Sequence, residues 1–93
     1  MAKPLKVAEY ISAQLEACGK SQKKVAKEAG FTNPNILTMI KQGLTKLPIK
    51  RVNDLAEALG VNKAKLMRMV LQEYQPEILE AIEDSLGRID VER

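Results

Sequence analysis

Apolar residues recur along this 93-residue chain at helical spacing, in short blocks punctuated by glycine and proline. Val7, Ala8, Ile11 and Leu15 share one face of an amphipathic helix predicted from Leu5 to Ala17, with Gly19 just past its end. The next block holds Val25-Ala26 between Ser21 and Gly30. Ser21 is a favoured N-cap because its hydroxyl accepts from a free backbone N–H two or three residues on, and Gly30 can take the left-handed conformation that closes a helix. A helix over about 22–29 follows. The third block begins at Asn33, again a good N-cap, with Pro34 at the first helical position, where its missing N–H costs nothing. It runs to Lys41 or Gln42, stops at Gly43, and turns Leu37, Ile40 and Leu44 inward.

Three further helices complete the pattern. Gly43-Leu44-Thr45-Lys46-Leu47-Pro48 reads as a connecting loop whose proline opens a helix with Val52, Leu55, Ala56 and Leu59 inward, ended by Gly60. Asn62 caps the next, which buries Leu66, Met69, Val70 and Tyr74. Gln75-Pro76 breaks it, and Pro76 starts a last helix bearing Ile78, Leu79, Ile82 and Leu86 before Gly87. No segment alternates with the period of a strand, and no repeat is present. The expected fold is all-α: a compact bundle of five helices plus a C-terminal sixth, divided into residues 1–75 and a C-terminal helix and tail over 76–93.

Charge sharpens this picture, because the net +3 is unevenly spread. Between Lys20 and Arg51 stand eight bases and one acid, Glu28, for a local +7, whereas residues 76–93 carry −4. Lysines scattered over helices are ordinarily a solvated surface. Here they surround two short helices joined by a tight turn, residues 21–43, which is the layout of a helix-turn-helix that reads DNA. If Leu37 and Ile40 face the core, Asn35, Met39 and Gln42 face away, with Thr38 on the flank. Asn35 can bond adenine N6 and N7 together, while Met39 and the Thr38 methyl can pack on thymine methyls. Met39 sits opposite Leu37, so it meets either DNA or a protein partner.

Other chemistries find little footing. The chain has no histidine, Ser12, Ser21 and Ser85 lack a base partner, and no glycine-rich phosphate loop precedes a helix, so no enzyme, cofactor or metal is expected. The single cysteine, Cys18, excludes an internal disulfide and reads as a small core residue. Two tyrosines and one phenylalanine are too few for a single-strand stacking platform. Neither a signal-peptide-like N-terminus nor a membrane-length apolar run is present, so a cytoplasmic protein without membrane contact is expected.

Ser21-Gln22, Val25-Ala26, Ala29-Gly30, Leu37, Ile40, Gly43, Pro48, Leu55-Ala56-Glu57-Ala58-Leu59-Gly60-Val61 and Leu66 together resemble the phage Cro and repressor type of helix-turn-helix, often called the XRE family. The resemblance covers roughly residues 5–70. It departs from the family at one point: Gly30 to Leu37 is seven positions, one more than usual, so the turn around Phe31 to Asn33 is longer. Counted back from Leu37, the family's base-reading positions fall on Asn35 and Met39, with Thr38 adjacent. The resemblance also implies phosphate contact by Gln22, at the positive end of its helix, with Lys23, Gln42, Lys46, Lys50 and Arg51 flanking the same groove edge. Double-stranded DNA is the implied partner. A homodimer spanning two half-sites is implied as well, with the acidic last helix either pairing across the two-fold axis or folding back on the bundle. The expected role is a sequence-specific transcriptional regulator acting as a repressor. Two readings remain beside it: an antitoxin or protein-interaction module that clamps a toxin or other protein, and a non-specific binder acting through its lysines alone.

Overall fold

Each block bounded by glycine or proline folds as a helix in the computed structural model, which describes residues 6–89. The helices are α1 (Lys6–Ala17), α2 (Gln22–Glu28), α3 (Asn35–Lys41), α4 (Val52–Leu59), α5 (Lys63–Tyr74) and α6 (Pro76–Leu86), and the described residues contain no strand. The expected helix start at Leu5, the N-terminal residues before it and the charged tail from Asp90 to Arg93 lie outside the described residues.

Local capping explains where most of these elements begin and end. The Ser21 Oγ accepts from the Lys24 N–H at 3.1 Å, and Asn62 Oδ1 accepts from the Lys65 N–H at 3.0 Å. Asn33 Oδ1 accepts from the Asn35 N–H at 2.9 Å, and α3 therefore starts one residue later than expected, with Pro34 already at helical dihedrals. At Gly30 (φ +87°) the chain leaves α2 through paired bonds, Gly30 N–H to Lys27 O and Phe31 N–H to Ala26 O. That double closure is a Schellman motif, and it needs the positive φ that glycine takes without strain.

The core gathers one face from every helix of the bundle: Val7 and Ile11, Val25 and Ala26, Leu37 and Ile40, Val52 and Leu55, Leu66 and Val70 are all buried. Helix α4 packs on α5 and α2, α1 on α5 and α3, and α3 also meets α2. Leu37 and Ile40 are 0% and 1% exposed, and this fixes the rotation of α3. Turning the helix so as to expose both would cost roughly 3–6 kcal/mol at the usual value of burying such side chains.

Leu44 corrects the expected core. It was expected inward in phase with Leu37 and Ile40, yet it is 70% exposed, and Leu47, expected in the loop, is buried instead. The physical reason is that the helical phase ends before Leu44. Gly43 at φ +74° closes α3 by a second Schellman motif, Gly43 N–H to Ile40 O and Leu44 N–H to Met39 O, and this reverses the chain. Three residues on, Leu47 plugs the core from the irregular segment that follows. A short 3-10 turn, Ile49–Arg51, then leads into α4. It was not visible in the apolar pattern.

Helix α6 folds back on α5, with Leu79 buried and the Arg68 guanidinium bonded to both Glu83 carboxylate oxygens at 3.0 and 3.2 Å. Glu83 also accepts from the Ile89 N–H at 3.0 Å. Ile78 and Leu86 of the same helix stay exposed.

Candidate nucleic-acid interface

The site is organised by the angle between α2 and α3, and one side chain spans it. Gln22, the first residue of α2, donates through Nε2 to Thr38 Oγ1 at 2.6 Å and to the Pro34 carbonyl at 3.4 Å. Two residues expected in the interface are therefore bonded to each other. Thr38 is half-buried, and its hydroxyl oxygen is occupied by Gln22 while its own O–H proton stays free to donate.

Burial of Leu37 and Ile40 leaves Asn35 and Met39 on the outer side of α3, both exposed. No hydrogen bond within the described residues engages the Asn35 side chain. Gln42 ends the helix and is exposed. The longer turn is accommodated between Gly30 and Asn33, before α3 begins, so counting from Leu37 puts Asn35 in the first turn of the helix and Met39 one turn further on.

The basic residues separate into bound and free. Lys20 Nζ donates to Glu28 Oε1 and to the Ala58 carbonyl, each at 2.8 Å, and so ties the segment before α2 to the ends of α2 and α4. The same ammonium holds the Glu28 carboxyl below its ordinary pKa. Arg51 is half-buried: its guanidinium lies against Gly30, where a β-carbon would come within 2.8 Å of Nη1, and it stands 3.9 Å from Asp54. That seat makes Arg51 a brace of the α2–α3 turn. Lys23, Lys24, Lys27 and Lys50 are exposed and form no contact ion pair among the described residues, although Lys24 lies near enough to Glu28 to help lower its pKa. Lys23, Lys24 and Lys27 line a shallow hollow with Ser21 and Glu28. Sequence reasoning named only Lys23 of these three, although the exposed flank of α2 could have flagged the other two.

Lys46 has an aromatic seat that no local pattern announced. Its Nζ lies 5.4 Å from the centroid of the Tyr74 ring, and the Tyr74 hydroxyl accepts from the neighbouring Leu47 N–H at 3.1 Å. Burial pushes the Tyr74 phenol above its ordinary pKa, an effect that outweighs the opposing Leu47 N–H bond, and the hydroxyl stays protonated at neutral pH.

An exposed helix edge carrying an amide and a thioether, beside a second short helix with unpaired lysines, suits a DNA major groove flanked by phosphates. A family model described as Helix-turn-helix matches residues 11–66, from the middle of α1 to the first part of α5. No curated protein and no solved structure matches the chain.

Proposed function

The chain belongs to the helix-turn-helix family, and from that premise we propose that it is a sequence-specific transcriptional regulator, acting in the cytoplasm as a repressor by inserting α3 into the major groove. The observation that carries this reading is the division of α3: Leu37 and Ile40 are fully sunk in the core while Asn35 is exposed and Met39 36% exposed on the outer side. Asn35 bonds an adenine edge, and Met39 and the Thr38 methyl meet thymine methyls. Lys23, Gln42, Lys46 and Lys50 set the register on the phosphates. Gln22 joins them through its backbone N–H at the start of α2, because its amide N–H groups are held by Thr38 and Pro34, and Arg51 reaches out from its seat against Gly30. Residues 1–75 form the DNA-binding domain. Residues 76–93 supply the contact for a homodimer. A second reading, in which the fold clamps a toxin or other protein, draws on the exposed Ile78 and Leu86.

Selection of bound sequences from a random DNA pool tests the first reading, since a regulator of this design enriches a two-fold symmetric consensus. With the selected site in hand, Asn35→Ala is expected to lose about 1–3 kcal/mol on that site and little on random duplex. Equal loss on both DNAs would remove Asn35 from the reading face; a pool that yields no consensus would favour the protein-clamping role if random duplex is not bound, and binding through the lysines alone if it is.

A further inference from the structure

We propose that Tyr74, at the end of α5, is a positioning residue for DNA binding: its hydroxyl and its ring together hold the loop after α3 so that Lys46 is presented to a phosphate. The proposal rests on the reading of Lys46 as a phosphate contact. The Leu47 side chain is 1% exposed and anchors the loop from below, while its N–H is bonded by the Tyr74 hydroxyl at 3.1 Å, across 27 residues of sequence. The adjacent Lys46 ammonium rests 5.4 Å above the centroid of the same ring. Two consecutive loop residues are thus fixed by two parts of one side chain.

An ammonium over an aromatic face turns only part of its three N–H donors to the ring, so this seat leaves at least one donor for a phosphate. It does restrict a side chain that would otherwise sample many rotamers, and so lowers the ordering cost of the contact. Tyr74 is also the last helical residue before the break at Gln75 and the start of α6 at Pro76. The residue that holds the loop is therefore the one from which the C-terminal helix departs.

Four full-length variants test this: Tyr74→Phe, Tyr74→Leu, Lys46→Ala and the double variant Tyr74→Leu/Lys46→Ala. Each is titrated with a random-sequence duplex over a series of salt concentrations. Lys46→Ala is expected to reduce the salt slope by about 0.9, the value for one phosphate contact. Tyr74→Leu is expected to weaken binding about twofold to tenfold, the range of a cation–π seat, and to add little in the Lys46→Ala background. Tyr74→Phe keeps the ring and the salt slope, but the Leu47 amide should exchange with solvent about tenfold faster, as expected for the loss of its partly buried acceptor. Tighter binding by Tyr74→Leu, full additivity in the double variant, or unchanged Leu47 exchange in Tyr74→Phe would each overturn the proposal. A Lys46→Ala variant with an unaltered salt slope would instead overturn the phosphate reading of Lys46, and the proposal with it.

Discussion

At single residues, backbone conformation and side-chain neighbours make separable demands, and Gly30 carries both. Its φ of +87° is a region that costs an L-residue about 1–2 kcal/mol, and an added β-carbon would press on the Arg51 guanidinium at 2.8 Å. The guanidinium is the far end of a flexible side chain and can yield, so the backbone cost dominates. Gly30→Ala is expected to lower stability in urea unfolding by about 1–2 kcal/mol, and adding Arg51→Ala should recover only a small part of it. Full recovery would show that crowding, not φ, governs the site. How much of the molecule was legible in the sequence also depends on range at this scale. The Ser21 and Asn62 caps were readable because each acts on an N–H three residues away. The Lys20 to Ala58 bond spans 38 residues and the Leu47 to Tyr74 bond 27, and no local pattern encodes either. Leu44 misled because an apolar residue in helical phase was carried past the glycine that ends the helix.

Among elements, α6 shows how a helix outside the matched family segment is held. Leu79 supplies the apolar contact and the Arg68–Glu83 pair the polar one, with side chains only 25% and 18% exposed. Arg68, helped by the Ile89 N–H, holds the Glu83 carboxyl below the usual carboxylate range. A carboxyl with a depressed folded-state pKa adds stability above its unfolded value, and that contribution disappears as pH falls through the folded value. Melting curves of the parent and Glu83→Gln should therefore differ at neutral pH, with the parent higher, and converge in acid. A difference that persists unchanged at the lowest pH would mean that the charge pair is not what holds α6. The six helices and their order were legible because glycine, proline and cap residues punctuate the chain. The folding back of α6 was not, since its stripe Ile78, Leu79, Ile82 and Leu86 suits a core or an interface equally well. The structure divides that stripe, with Leu79 inward and Ile78 and Leu86 outward.

For the whole molecule, size bears on the mode of DNA binding. The described residues measure 38 × 34 × 22 Å and present one helix of the α3 kind. Major-groove faces on one side of a duplex recur about every 34 Å, so reading two half-sites takes two chains. Sedimentation of the full chain at micromolar concentration is expected to show a dimer, and Ile78→Ser/Leu86→Ser a monomer. Because both side chains are exposed, the double variant should keep its stability to within about 0.5 kcal/mol per substitution. A parent chain that stays monomeric at DNA-binding concentrations would exclude α6 as the interface. The 2.6 Å bond from Gln22 to Thr38 has a consequence for how such a molecule could be retargeted. If α3 reads bases as proposed, Asn35, which is exposed and whose side chain makes no hydrogen bond among the described residues, can be exchanged to alter base preference without disturbing the angle between α2 and α3. Met39 is only 36% exposed and also packs on the scaffold. Position 38 differs, because its hydroxyl oxygen accepts from Gln22 and so joins α3 to the start of α2. On the proposed reading, position 35 is the more open to new specificities, while a change at 38 also removes that link.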